Sequence, residues 1–324
     1  MTTQEKLLDL LTRDPERFLS GEDAAARLGV TRAAVWKAVR GLEEAGLTVD
    51  AVPNRGYRLA ADCDVLRASG IRAALGDAAD GFRIEVFDTL SSTNTKLREL
   101  AEAGAPEGTV VAAAAQTGGK GRLGRSFFSP ADTGLYMSVL LRPALPPGDA
   151  PRITTAAAVA VCGALEETCG VRPGIKWVND IFLGGRKVCG ILTEAAFDAE
   201  TGRLSHAVTG IGVNVYEPDG GFPEELRDIA GAVTKERRRG LRSALCASIL
   251  RRFMALYRAL PDTGCSEQYQ SYCICLGRRI RILSGDSVTE ATALDVDDAC
   301  RLRVRLDDGR ETLLSSGEIS IRLT

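Results

Sequence analysis

Gln116-Thr-Gly-Gly-Lys-Gly-Arg-Leu-Gly-Arg125 holds four glycines and three fixed cations. An apolar run before it, Val110-Val-Ala-Ala-Ala-Ala115, reads as a strand. After it comes Phe127-Phe-Ser-Pro130, where the proline argues against a helix. That order decides between phosphate-binding folds. Gly119-Lys-Gly-Arg-Leu-Gly124 fits the bare pattern G-x-G-x-x-G. A dinucleotide fold, however, needs a helix opening at the glycines and an acidic residue about 20 positions later. Pro130 spoils the helix, and the region around Ala144 is apolar. A Walker loop is absent too, because no Gly-Lys pair is followed by Ser or Thr at the right spacing. What remains is a loop whose glycines let backbone approach a ligand and whose cations imply an anion, phosphate or carboxylate. The bland alternative is a surface loop with solvated charges.

The chain of 324 residues has room for two or three domains. Its net charge of -2 does not announce a nucleic-acid binder, so any basic surface is local. No run approaches a membrane span, and Met1-Thr-Thr-Gln-Glu-Lys lacks the apolar core of a secretory signal. A cytoplasmic protein with no membrane partner is expected. Of the nine cysteines, Cys162, Cys189 and Cys246 sit in apolar surroundings and read as core. Cys273 and Cys275 form the one close pair. With a single histidine, His206, they make a poor zinc site, and reduced thiols fit best. One histidine also argues against a Ser-His or Cys-His nucleophile.

Residues 1–62 read as a winged helix-turn-helix. Glu5–Leu11 has helical spacing, Ser20 caps a second helix that Gly29 ends, and Thr31 caps a third over Arg32–Ala45. Val35, Val39 and Leu42 share the core face of the third helix. Arg32, Trp36, Lys37 and Arg40 point elsewhere, with three cations and no acid between Thr31 and Arg40, as a recognition helix needs. Thr48–Leu59 reads as two strands around Pro53-Asn-Arg-Gly56, a wing whose Arg55 reaches phosphate. The alternative is a helical protein-protein module with a solvated basic face. Residues 64–273 alternate strands and helices irregularly, which suggests α+β with a mixed sheet. Ala230–Leu260 reads as a long helical stretch broken near Arg239-Gly240, and Glu236-Arg-Arg-Arg239 as solvated surface. Residues 274–324 read as short strands at Arg279–Leu283, Thr289–Leu294, Arg301–Leu306 and Glu318–Arg322, with a hairpin at Asp307-Asp-Gly309, hence a small barrel.

Within the middle segment, Thr89-Leu-Ser-Ser-Thr-Asn94 lies between a strand-like run, Phe82–Phe87, and a helix-like run, Thr95–Ala101. Gly174-Ile-Lys-Trp-Val-Asn-Asp180, Arg186-Lys-Val-Cys-Gly-Ile-Leu-Thr-Glu194 and Val208-Thr-Gly-Ile-Gly-Val-Asn214 follow. With the glycine-rich loop, this ordered set resembles the biotin protein ligase family, in the two-function form that is also the biotin operon repressor. The resemblance runs over nearly the whole chain. It implies a central mixed-sheet domain similar to class II aminoacyl-tRNA synthetases and an SH3-like C-terminal domain. It also implies a two-step reaction: biotin and ATP give biotinyl-5′-AMP, and biotin then passes to a lysine of a biotin carboxyl carrier protein. Operator DNA, magnesium accompanying ATP and a ligand-promoted homodimer complete the implied partners.

The same resemblance assigns residues. Ser92, Thr93 and Asn94 match the segment lining the biotin pocket, although Ser92 also reads as a helix cap. Gln116 matches the pocket glutamine, and Lys120-Gly121-Arg122 the basic clamp. Arg122 is the choice for the carboxylate and phosphate contact, with Arg125 a weaker candidate. Lys187, otherwise a surface lysine, matches the lysine at the reacting carboxylate and α-phosphate. Lys176, Asn179 and Asn214 are placed at the nucleotide, and Gly210 lets its strand pass close to ligand. Asp180 is the carboxylate for magnesium, or else a structural turn residue. The chain departs from the family pattern at three positions. Lys120 stands where arginine is frequent and loses its fork. Val178 stands for proline, which loosens that turn. Phe127 stands where some members have tryptophan beside the adenylate, which keeps stacking but loses an indole N–H. The rival readings are a lipoate ligase-type enzyme, and a biotin-sensing repressor without ligase activity.

Overall fold

Thr2 and Glu5 bond reciprocally across the first turn of α1 (Thr3–Arg13), so the chain opens on a capping box. The computed structural model describes residues 2–198, 200, 202–260, 265–284, 287–315 and 318–321. Ser20 caps α2 (Gly21–Leu28), which stops at Gly29 in the left-handed region, and Thr31 caps α3 (Arg32–Glu44). Leu7, Leu8, Leu11, Val35, Val39 and Leu42 form one small core. The wing is an antiparallel pair, β1 (Val49–Val52) and β2 (Gly56–Leu59). It turns at Gly56, where φ is 107° and an added Cβ would come within 2.1 Å of the Leu19 carbonyl oxygen.

The central domain runs α4 (Ala68–Leu75), β3 (Arg83–Leu90), α5 (Thr93–Glu102), β4 (Thr109–Gln116), β5 (Gly134–Leu141), α6 (Ala150–Cys169), β6 (Gly174–Lys176), β7 (Asp180–Leu183), β8 (Arg186–Phe197), β9 (Leu204–Asn214), α7 (Leu241–Arg258) and α8 (Cys265–Tyr272). Its seven-stranded sheet has the order β3-β4-β5-β9-β8-β7-β6. β3 and β4 are parallel, and every other pair is antiparallel. Side-chain alternation splits the sheet between two layers. Val110, Ala112, Met137 and Val139 join α6 and α7 in the main core, which also buries Cys162, Cys189 and Cys246. Val111, Leu140 and Val208 face Leu97 and Ala101 of α5. The sheet therefore carries two helices on one face and α5 on the other, and α5 begins at the end of the sheet where β4 and β9 end.

Two expectations for the segment before α7 fail. Only Leu241–Arg258 is helical, and Gly240 precedes it at φ 68°. Between Ile229 and Thr234 the backbone bonds to the sheet instead: Lys187 N–H to the Ile229 oxygen at 2.8 Å, Gly231 N–H to the Lys187 oxygen at 2.9 Å, and Val233 N–H to the Asn214 oxygen at 2.9 Å. A backbone so engaged has no groups left for a helix ladder. Nor is the arginine run wholly solvated. The Arg239 side chain is 7% exposed, pairs with Glu16 at 3.0 Å, and donates to the Leu59 carbonyl at 2.6 Å, which ties the winged domain to the central one. Beside it Arg242 and Asp64 form a buried ion pair at 3.1 Å.

The expected C-terminal β domain is a five-stranded antiparallel sheet of β10 (Arg279–Ser284), β11 (Ser287–Val296), β12 (Leu302–Leu306), β13 (Glu311–Leu314) and β14 (Glu318–Ile321), in the order β13-β12-β11-β10-β14. The hairpin at Asp307–Gly309 joins β12 to β13, with Gly309 at φ 86°. Ile280, Ala291, Ala293, Leu302 and Val304 continue the main core, so this sheet docks on the central domain.

Candidate functional site

A cleft opens where the glycine-rich loop, the start of α5, the β6–β7 turn and the middle of β8 and β9 meet. The loop is folded back on itself. Phe127 N–H donates to the Gly119 oxygen at 2.9 Å and Gly121 N–H to the Arg125 oxygen at 2.7 Å. Leu123 crosses the exposed tip at φ 56°. This hairpin places Lys120, Gly121, Arg122 and Arg125 in the cleft lining. The Arg122 guanidinium donates to Asn179 Oδ1 at 2.8 Å, so it reaches across the cleft to the β6–β7 turn.

The first turn of α5 forms the buried end. Ser92 Oγ accepts from Thr95 N–H at 3.4 Å, so the cap reading holds, and Ser92 also lines the cleft. Thr93 N–H donates to Gln116 Oε1 at 2.8 Å, while Gln116 Nε2 donates to Ser129 Oγ at 3.0 Å. Asn94 donates to Glu194 at 2.7 Å and to the Leu192 carbonyl at 3.3 Å. The hydroxyl of Ser138 lies 2.6 Å from Asn94 Oδ1 and 2.8 Å from Thr93 Oγ1. Two glycines of β9 are fitted to these side chains. An added Cβ would come within 2.1 Å of Asn94 Oδ1 at Gly210, and within 2.6 Å of the Phe127 ring at Gly212.

The open end is cationic. Lys120, Arg122, Arg125, Lys176 and Lys187 face one acidic residue, Asp180. Lys187 pairs with Asp180 at 2.7 Å, and both side chains are under one-third exposed. Lys176 Nζ lies 5.8 Å from the centre of the Phe182 ring. Asn179 is fixed by its own Nδ2, which donates to the Ile191 oxygen at 2.9 Å. The turn at Val178 is hydrogen-bonded on both sides. Its carbonyl accepts from the Tyr269 hydroxyl at 3.1 Å, and Cys275 Sγ accepts from Trp177 N–H at 3.3 Å. Five cations against one carboxylate concentrate anions. The polar end around Asn94 suits a neutral group with its own donors and acceptors.

Asn214 is the exception among the residues expected here. It sits at the end of β9 outside the cleft lining, buried, and its Nδ2 donates to the Gly231 oxygen at 3.2 Å. One of its amide N–H groups anchors the Ile229–Thr234 segment. Conversely, Ser129, Ser138 and Glu194 hold the site in place although none was expected there, Ser129 and Glu194 lying inside the Phe127–Pro130 and Arg186–Glu194 stretches without a role. For Ser138 the sequence signal is a serine inside an otherwise apolar strand, Leu135-Tyr-Met-Ser-Val-Leu140. In the winged domain Arg32, Trp36, Lys37 and Arg40 share the exposed face of α3, with Trp36 58% exposed and the Arg40 guanidinium 5.8 Å from its ring. Arg55 is exposed on the wing and stacks over Phe18 at 4.4 Å.

Comparison with known proteins agrees with this arrangement. Residues 86–214 match the Biotin/lipoate A/B protein ligase family, residues 3–58 an HTH domain, and residues 275–322 the Biotin protein ligase C terminal domain. The chain is 35% identical over 319 residues to the bifunctional ligase/repressor BirA of Bacillus subtilis, covering 97% of this chain and 98% of that one. It is 27% identical to the bifunctional ligase/repressor BirA of Escherichia coli, covering 99% and 98%. The biotin protein ligase of Aquifex aeolicus, solved in complex with biotin and ATP, superposes with a TM-score of 0.61 at 25% identity, over 74% of this chain and 98% of that one. Matched from the winged domain through the C-terminal sheet, the chain belongs to the biotin protein ligase family, in its two-function ligase/repressor form.

Proposed function

We propose that this protein joins biotin to a lysine of a biotin carboxyl carrier protein through biotinyl-5′-AMP, and that it represses transcription by binding operator DNA. The observation that carries the first half is the cleft itself, with five cations and one carboxylate beside a buried polar end. In the first step a biotin carboxylate oxygen attacks the α-phosphorus of ATP, the bond to the β-phosphate breaks, and pyrophosphate leaves. Two anions must meet, so the residues needed are cations that orient them and take up growing charge. Arg122 and Lys187 are assigned to the reacting carboxylate and α-phosphate. Lys120, Arg125 and Lys176 are assigned to the phosphates, and Asn179 to holding Arg122 over them. In the second step the carrier lysine, as the free amine, attacks the acyl carbon; an amide forms and AMP leaves with the bonding pair. No enzyme nucleophile is required.

Ser92, Thr93, Asn94 and Gln116 are assigned to the ureido ring, with Gly210 giving it room. Among the described residues no cluster of three acidic, cysteine or histidine side chains could cage a metal. Magnesium would arrive with the nucleotide phosphates, where one carboxylate such as Asp180 suffices beside phosphate oxygens. For the second half, the exposed basic face of α3 carries Arg32, Lys37 and Arg40 beside Trp36, with Arg55 on the wing to meet phosphate. The adenylate is proposed to promote a homodimer that presents two such helices.

The test is a labelling assay with purified protein, biotin, Mg-ATP and a biotin carboxyl carrier domain, read by intact mass. A gain of one biotin is expected. Biotin binding without transfer would leave a sensor-repressor, and lipoate transfer in place of biotin would move the protein to the lipoate branch. For the repressor half, Lys37→Ala with Arg40→Ala should abolish operator binding and leave ligation intact; unchanged operator binding refutes it.

A further inference from the structure

Asn94 is buried at the polar end of the cleft, and its hydrogen bonds can be counted. A carboxamide has two N–H donors and an oxygen with two lone pairs. Both donors are taken, one by Glu194 Oε2 at 2.7 Å and one by the Leu192 carbonyl at 3.3 Å. Ser138 Oγ lies 2.6 Å from Asn94 Oδ1, and a hydroxyl beside an amide oxygen must be the donor. Turning the amide over would set its oxygen against a carboxylate and a carbonyl, which repel it. The orientation is thus fixed by the network. One capacity is left, the second lone pair of Oδ1, and that oxygen lies over Gly210 of the cleft lining.

We infer that Glu194, with Ser138, is a positioning residue for substrate specificity. It holds the Asn94 amide so that the cleft offers an acceptor, which selects a ligand ring bearing an N–H. This rests on the biotin reading above, because a cyclic urea supplies such an N–H and a dithiolane ring does not. A site built to accept an N–H discriminates strongly against analogues that lack it. Glu194 itself lies behind Asn94 and also meets Arg98 at 3.5 Å, on the far side from the cleft. It touches no reacting atom and acts only through Asn94.

The experiment is calorimetric biotin binding with parallel kinetics on the full chain. Glu194→Ala, and the volume-conserving Glu194→Met, should each raise the biotin Kd about tenfold, the loss expected when one oriented hydrogen bond is released. KM for ATP and kcat should stay put. Glu194→Gln keeps an acceptor and should restore affinity. In an Asn94→Ala background, Glu194→Ala should have no further effect, as coupling through Asn94 demands. An unmoved Kd in both variants, or an equal loss in the Asn94→Ala background, overturns the inference. A general structural role would instead shift KM for ATP and the thermal midpoint together, and E194Q would not rescue. Wild-type protein that failed to bind biotin would sink the ligase reading, whereas binding by the wild type with an unmoved E194A sinks this inference alone.

Discussion

Gly212→Ala is expected to damage nucleotide use far more than biotin binding. The Phe127 ring lies against β9, and a Cβ at Gly212 would stand 2.6 Å from its Cε1 and 2.9 Å from its Cζ. Carbon atoms settle at about 3.5–4.0 Å, so the ring must retreat by roughly 1 Å. Tyr136 holds one side of the ring through an edge contact, with centroids 6.4 Å apart at 73°. The ring, itself part of the cleft lining, must therefore shift along that lining, past Gly190 or into the space proposed for the adenylate. Overpacking of this kind costs about 1–3 kcal/mol of stability. A reacting group displaced by roughly 1 Å costs on the order of 10²-fold in rate. Biotin-dependent pyrophosphate exchange should therefore show kcat/KM for ATP falling by about that factor, while calorimetric biotin affinity stays close to wild type. Phe127→Leu in the same chain should recover the lost stability. Wild-type exchange and wild-type stability in G212A would refute the wedged ring and, with it, the placement of Phe127 beside the nucleotide.

Arg122→Ala and Lys187→Ala should each lower adenylate formation at least about tenfold, or ~1.4 kcal/mol, because each removes a cation from the meeting point of two anions. Pyrophosphate release at the wild-type rate in both would refute the assignment. Arg242→Met should destabilise the chain by about 3–5 kcal/mol in denaturant unfolding, since Asp64 loses its buried partner. Burial already pushes the Asp64 carboxyl up, against the pull of Arg242. Asp64→Leu combined with Arg242→Met should cost much less than R242M alone; an equal or greater loss in the pair would show that the charge is not what Arg242 compensates.

Much of the site was legible because the reaction demands residue types that are rare together. Glycines beside Lys120 and Arg122, a Ser-Thr-Asn run opening a helix, and Lys187 after a tight turn each have a chemical reason to be where they are. The winged domain was legible for a different reason: Ser20, Gly29 and Thr31 mark helix ends by backbone geometry that any context preserves. What escaped was set by tertiary contact. Ala230–Arg239 has no proline, and its breaker is a partnership with the ends of β8 and β9 that only the folded sheet supplies. Asn214 closes a glycine-bearing strand that lines the cleft, yet the strand has passed the cleft by that residue and its amide turns to Gly231. Ser138 comes from a strand without a motif, and Glu194 ends the Arg186–Glu194 segment with no sequence sign of its partner; their role exists only because β5 and β8 both reach Asn94 in the first turn of α5.

Two of the five cations of the cleft already hold oxygen partners. Arg122 is held by the Asn179 carboxamide, and Lys187 by the Asp180 carboxylate at 2.7 Å. Both partners offer oxygen to a cation, as a phosphate or a reacting carboxylate does. An arriving anion therefore exchanges with a partner already in place and does not have to order a free side chain. The long side chains have surrendered their rotamer freedom on folding, so substrate binding is spared that entropic cost. On the proposed assignment, Lys187 turning to substrate would leave the Asp180 carboxylate facing the cleft, where a magnesium ion carried by the nucleotide phosphates would gain a ligand. One ion pair would then serve two charges of the substrate in turn, and Asp180→Asn should weaken nucleotide use by a larger factor than biotin affinity, which the Asn94 end also holds. Equal losses for both substrates in that variant would refute the division of the cleft into a cationic end and a neutral one.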